Sequence, residues 1–168
     1  MDANALKALQ APFKDKYRQQ PGSAVITLQA EGNIGEGVTC SVATGKAIVE
    51  AGLHPATGGS GLSACSGDML LQALVACAGV TLNAVATALG LTVRAGRVRA
   101  EGDLDFRGTL GVAKDAPVGF RDIRLVFDID GDMTDEQRAT LIKLTERYCV
   151  VYQTLRAPPP ITVTSRVS

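Results

Sequence analysis

The sequence predicts an α+β fold in which antiparallel sheets pack around one long, buried central helix. Three observations carry that expectation. Met69 to Thr92 contains no charged residue, so it forms a helix apolar on nearly every side, like helices inside a domain or between subunits. Two later stretches, 91–108 and 120–130, alternate apolar with charged residues at the two-residue period of a strand with one dry and one wet face. The segments run as three strands, a helix, two strands, a helix and a closing strand. That order suits mostly antiparallel strands with helices gathered on one side. At 168 residues the chain fits a single domain with its own core, read as an N-terminal helical arm at 1–22 and the domain proper at 23–168.

The arm reads as two helical turns, 3–10 and 12–19, parted at Pro12. Leu6, Leu9, Phe13 and Tyr17 fall near helical spacing, and Pro21-Gly22 stops it. Strands at 23–30, 38–43 and 46–53, joined by short glycine-containing turns at 31–37 and 43–45, predict an antiparallel meander. Residues 54–67 form a loop rich in Gly, Ser and Ala. The loop lacks the lysine of a phosphate-binding loop and the spacing of a dinucleotide fingerprint. It feeds a helix that Ser66 caps and Asp68 supports from the first turn; such a loop is where substrate often enters. Gly90 ends the helix. On 91–108, Val98, Ala100, Gly102, Leu104 and Phe106 face inward while Arg97, Arg99, Glu101, Asp103 and Asp105 face water. On 120–130, Ile123, Leu125, Phe127 and Ile129 point inward. Thr134-Asp135-Glu136-Gln137 is a capping box. It opens a helix whose apolar face holds Leu141, Ile142, Leu144, Tyr148 and Cys149, continued over 150–156 with or without a small break. Three prolines end it, and 161–167 reads as a closing strand.

Formal charge is zero, 17 basic residues against 17 acidic, so no overall field favours nucleic acid or an anionic membrane. Tryptophan is absent and aromatics reach only 4%, too few for base-stacking platforms. Residues 1–17 have no basic region followed by a long apolar one, so no secretory signal is read there and a cytoplasmic location is expected. The uncharged run is long enough to cross a bilayer. Gln72, Thr81, Asn83 and Thr87 interrupt it, however, and neither aromatic anchors nor a basic cluster flank it, so burial within protein is expected.

Four cysteines, Cys40, Cys65, Cys77 and Cys149, are scattered without a Cys-x-x-Cys pair, and His54 is the only histidine. This usage suits free thiols in a reducing compartment rather than a disulfide scaffold or a zinc site; neither metal nor cofactor is expected. Cys40 reads as a small buried hydrophobe on the middle strand and His54 as a loop residue. Cys65, in the loop before the helix, reads as more exposed than Cys77, either an alternative reactive thiol or a metal-sensitive bystander. Cys77 lies about ten residues into its helix, beyond strong influence of the dipole, and a thiol in apolar surroundings has a raised pKa and is inert. On residue chemistry alone Cys77 is structural unless the fold brings a cation or hydrogen-bond donors to the sulfur.

Two motifs resemble the OsmC/Ohr family of hydroperoxide-resistance proteins. The family's central helix carries a pattern of the type P-x-E-L-L-x-x-A-L-x-x-C, matched by Leu70, Leu71, Ala73, Leu74 and Cys77. Its later Tyr-Cys motif with a Thr-Leu ending is matched by Tyr148, Cys149, Thr154 and Leu155. The resemblance spans roughly residues 23–168 and implies an OsmC-like fold and an intertwined homodimer with the central helices buried. It also implies a thiol-dependent peroxidase of oxidative stress defence: Cys77 attacks an organic hydroperoxide or hydrogen peroxide, Cys149 resolves the sulfenic acid, and an external dithiol such as a lipoylated protein reduces the disulfide. The acidic residue at the helix start, which in the family holds an activating Arg, is matched by Asp68, one methylene shorter. The Arg itself is expected around the first hairpin turn, but 31–37 holds no basic residue, leaving Lys46 or Arg18 as substitutes. Val150 stands where a Pro usually follows the second cysteine. These departures fit the divergent OsmC-like branch better than the dedicated Ohr enzymes. Two alternatives stay open: a non-enzymatic protein of this fold binding a small apolar ligand at the dimer interface, and a thiol redox sensor.

Overall fold

Residues 2–5, 8, 11, 19, 32–34, 39–43, 48–111 and 113–167 are described by the computed structural model. Most of the charge-free run lies in one helix, α1 (Ser66–Leu89), of 24 residues. Its first turn includes Asp68, whose carboxylate suits the positive helix end. It stops at Gly90, whose φ of 69° is the left-handed conformation that closes helices and favours glycine. Leu74, Ala78, Leu82, Val85 and Ala86 are its buried face, at the three- and four-residue steps of one helix side.

That face is covered by the two later elements. β4 (Val93–Leu104) and β5 (Phe120–Gly131) form an antiparallel ribbon with Val98 opposite Phe127, Ala100 opposite Leu125 and Gly102 opposite Ile123. A side chain on Gly102 would sit 2.5 Å from the Phe120 ring; its absence lets that ring lie over β4 next to Leu71. The ribbon's outer face is the expected charge ladder. Arg94 bridges Asp130 and Asp132, Arg99 bridges Asp128, and Arg124 gathers Glu101, Asp103 and Asp122. Arg124 thereby offsets the direct opposition of Asp103 and Asp122 in the register. After a short helical turn, α2 (Phe106–Thr109), and the return through β5, the capping box starts α3 (Asp135–Tyr148). Both of its reciprocal bonds form: the Gln137 N–H donates to Thr134 Oγ1 at 3.1 Å, and the Thr134 N–H to Gln137 Oε1 at 2.8 Å. Leu141 of α3 is fully buried against Leu82, Val85 and Ala86. A one-residue break at Cys149 separates α3 from α4 (Val150–Arg156), and both helices pack on α1.

The upstream meander consists of β1 (Gly32–Ile34), β2 (Thr39–Ala43) and β3 (Ile48–Gly52) in antiparallel order. It joins the rest through β3, where the Gly52 N–H donates to Ala64 O at 3.0 Å and the Ala64 N–H to Glu50 O at 2.9 Å.

Most expected elements are present, with four differences. β1 falls within the stretch read as a turn, while the strand expected at 23–30 and most of the arm at 1–22 lie outside the described residues. The expected strand at 91–108 stops at Leu104, because Asp105 caps α2 by accepting from the Arg107 N–H; Phe106 then leaves the sheet and stacks on His54, centroids 4.9 Å apart. The helix cap is Cys65 rather than Ser66, which is already the first helical residue. Residues 161–167 are not a strand in this chain: they pair with nothing described, and Ile161, Val163 and Val167 are 85%, 86% and 100% exposed.

The last difference belongs with another. Of α1's most apolar 18-residue window only 22% is buried by its own chain, although the helix is long and apolar enough to cross a membrane. Its open side, Ala73, Ala76, Val80 and Asn83, is uncharged, with Val80 72% exposed. Among the described residues, one side of α1 is exposed, 161–167 pair with nothing, and the β4–β5 ribbon has no third strand.

Because Leu141 is enclosed by α1, truncation leaves a cavity that the packed neighbours cannot fill. Leu141→Ala is expected to cost about 2–5 kcal/mol in denaturant unfolding; a loss below about 1 kcal/mol would contradict this core.

Candidate active site

Cys77 and Cys149, far apart in sequence, lie near enough where α4 packs on α1 to influence each other's proton affinity. Cys77 lies at mid-helix and is half-buried; Cys149 is 1% exposed. Both are free thiols. The break that delivers Cys149 is built from ordinary backbone bonds. The Cys149 N–H donates to Thr145 O at 2.9 Å and ends α3, while the Cys149 carbonyl accepts from the Gln153 N–H at 2.9 Å and begins α4. Its ψ of 109° is extended, so the chain turns within one residue. Gln153 Nε2 then clamps the junction by donating to Glu146 O at 2.7 Å. The turn aims the first amides of α4 at Cys77.

The electrostatics of the pair are asymmetric. Burial pushes the Cys77 thiol up, but the Val151 N–H, the Cys149 thiol, the Val150 N–H and the Thr81 hydroxyl together outweigh it and hold the pKa below the ordinary thiol value. Burial also raises Cys149. There the Tyr152 and Val151 amides are outweighed by burial and by the charge of Cys77 as a thiolate, so Cys149 stays above the ordinary value. The pair therefore loses its first proton at Cys77, leaving a thiolate beside a thiol.

The other candidates lie elsewhere. Asp68 is exposed at the helix start, nine residues and about 14 Å along the axis from Cys77, so α1 itself holds the two apart. It lines a small cavity of about 150 Å³ with His54, Cys65 and Phe106. Cys65 is partly buried, as Cys77 is; twelve residues of helix, about 18 Å, separate it from Cys77. His54 has a local structural role: its Nδ1 accepts from the Ala56 N–H at 3.0 Å and caps a single turn at Pro55–Thr57. The side chain of Cys40, and Lys46 and Arg18, lie outside the described residues. Among the described residues the groups that favour the Cys77 thiolate are amides, a thiol and a hydroxyl, with no cation. Sequence reasoning missed the Val150 and Val151 amides and Thr81. Only Thr81 left a signal, as a polar residue one turn after the cysteine on an otherwise apolar helix.

The long apolar helix and the antiparallel ribbon packed over it form the α+β arrangement of OsmC-like proteins. The model of the family described as OsmC-like protein matches residues 58–164, and the chain belongs to that family. Comparison with curated proteins finds no significant match. Solved structures share the fold at low identity. The OsmC-like protein of Mycoplasma pneumoniae superposes with a TM-score of 0.66 at 17% identity, over 79% of this chain and 89% of that one. An organic hydroperoxide resistance protein of Elizabethkingia anophelis gives 0.64 at 18% identity, over 80% and 91%. A Legionella pneumophila protein described as organic hydroperoxide resistance protein OsmC gives 0.62 at 16%, over 79% and 91%.

The sign of the two shifts sets a measurable order. Alkylation followed peptide by peptide is expected to label Cys77 before Cys149, with a pH midpoint below that of a free thiol. Cys149→Ala should move the Cys77 midpoint upward, because it removes a donor. Prior labelling of Cys149, or a downward shift in the variant, would contradict the assignment.

Proposed function

We propose that this chain is a thiol-dependent peroxidase that reduces organic hydroperoxides or hydrogen peroxide in oxidative stress defence. The observation that carries the reading is the meeting of Cys77 and Cys149 with opposite proton affinities. In the proposed cycle the Cys77 thiolate attacks the distal oxygen of the peroxide. The O–O bond breaks, the alkoxide leaves and takes up a proton as the alcohol, and the sulfur becomes a sulfenic acid. The Cys149 sulfur then attacks the Cys77 sulfur, forming the disulfide and releasing water. An external dithiol, by family resemblance a lipoylated protein or similar, reduces the disulfide and restores both thiols. Structural neighbours that carry the description of hydroperoxide resistance proteins support the reading.

The working form in this reading is a cytoplasmic homodimer. The uncharged open side of α1 needs an apolar cover. The exposed β-type tail and the open ribbon edges are complementary features that a second copy satisfies, since unpaired edges invite a strand. Light scattering is expected to give twice the 17.5 kDa chain mass; a stable monomer at micromolar concentration would contradict it.

One observation favours the alternative of a small apolar ligand. A cavity of about 500 Å³ between β5, α3 and α4 is floored by Leu74, Ile123, Leu125, Phe127 and Ile142, and neither sulfur lines it. Turnover separates the two readings. With a dithiol reductant, the native protein is expected to consume cumene hydroperoxide catalytically, Cys77→Ser to fall to background, and Cys149→Ser to lose steady turnover after one equivalent. Equal rates in the native protein and Cys77→Ser would leave only the ligand-binding reading.

A further inference from the structure

The break between α3 and α4 has no cause in the residues at which it falls. Sharp interruptions of a helix sit at proline or glycine, or where a side chain enters the backbone ladder. Residues 146–153 read Glu-Arg-Tyr-Cys-Val-Val-Tyr-Gln and contain neither proline nor glycine. The chain is helical on both sides of Cys149, so one continuous helix is the competing structure. In that helix the Val150 N–H would donate to the Glu146 carbonyl, four residues back. Here Cys149 is extended, with a ψ of 109°, and Glu146 O accepts from Gln153 Nε2 at 2.7 Å in a partly buried bond. A carbonyl only accepts, so the nitrogen of the Gln153 amide must be the atom that faces it. The neighbouring bonds are backbone ones: Thr145 O takes the Cys149 N–H, and Cys149 O takes the Gln153 N–H, each at 2.9 Å. Glu146 O is therefore the point at which a side chain stands in for a helical amide. A partly buried carbonyl without a donor is costly, so the donor that holds it decides whether the chain breaks at Cys149 or runs through. Everything after Cys149 depends on that choice. The break lets α4 pack on α1 while Cys149 is 1% exposed; a helical Cys149 would send α4 onward along the axis of α3.

We propose that Gln153 is a positioning residue for the cysteine pair: its side-chain amide holds Glu146 O in place of the Val150 N–H, keeps the chain broken at Cys149 and so holds that residue where α4 packs on α1. The purpose of this rests on the reading of Cys77 and Cys149 as a reactive pair, while the break itself is measured without any oxidant. Methionine keeps the length of the side chain without a donor, and lysine restores a donor with the reach. In the full chain labelled with carbon-13 and nitrogen-15, the Cα chemical shift of Cys149 reports its backbone. It is expected to be extended in the native protein, to move toward the helical value in Gln153→Met and to return close to native in Gln153→Lys, with circular dichroism checking that each variant folds. In the native protein the Gln153 side-chain amide protons should exchange with solvent about threefold or more slowly than those of a free side chain, as one hydrogen bond requires. Diamide then reads the consequence for the sulfurs: it takes two electrons and two protons from the two thiols, leaving the Cys77–Cys149 disulfide and the hydrazine. Gln153→Met should close that disulfide about threefold or more slowly than native, the effect of one lost hydrogen bond. A native Cys149 shift in Gln153→Met, a lysine variant that behaves as the methionine one, or freely exchanging Gln153 amide protons would assign the break to the packing of α4 and overturn the proposal. A native chain in which diamide forms no such disulfide would remove the pair reading, and the Cys149 shifts would still decide the role of Gln153.

Discussion

A 24-residue helix with no charge after its first turn has to be covered, and the way α1 is covered decides where the sulfurs lie. One side meets the β4–β5 ribbon and α3, building the core around Leu82, Val85, Ala86 and Leu141. The same packing brings α4 across the middle of α1 at Cys77. The opposite side carries Ala73, Ala76, Val80 and Asn83 and is open in the single chain. Small side chains there permit close approach of another surface, and a charge at any of these positions would forbid it. Core, site and proposed subunit contact thus share one helix, so a change on any of its faces is felt at the sulfur.

In the proposed cycle the members of the pair are unequal. Two equivalent buried thiols would both resist ionisation. Here the amides at the start of α4 face Cys77 and the growing negative charge there pushes Cys149 the other way. A peroxidatic sulfur needs to be a thiolate, while a resolving one is best held in reserve until the sulfenic acid forms. Among the described residues it is backbone amides, a thiol and a hydroxyl, with no cation, that favour the Cys77 thiolate; a buried cation would itself be costly to desolvate.

Much of the fold was legible in the residues, for reasons tied to short-range chemistry. The alternation on β4 and β5, the Thr134–Gln137 box and Gly90 as the helix stop all act within a few residues, and each stands where its pattern puts it. The misses have equally physical causes. Asp105 competes for the chain as a cap, so the strand stops before Phe106. Residues 161–167 have the pattern of a strand but pair with none of the described residues, and a strand is defined by pairing. At the site, the motif spacing identified Cys77 and Cys149, yet local chemistry argued that a mid-helix thiol is inert. Burial does act as that argument requires; what reverses the outcome are donors from Val150 and Val151, more than seventy residues downstream. No local pattern announces which backbone amides will be turned toward a sulfur. The resemblance also pointed to Asp68, whose position at the helix start follows from the sequence, while its distance from Cys77 follows from α1 being continuous.

The most direct test of the central claim is the covalent product of a single encounter with peroxide. The reduced protein is mixed with one equivalent of cumene hydroperoxide, quenched by alkylation and digested without reductant. The account predicts a cross-linked pair of peptides carrying Cys77 and Cys149, with the intact chain lighter by two hydrogens. A Cys77 that stays fully alkylatable, or a bridge formed through Cys65 instead, would contradict it.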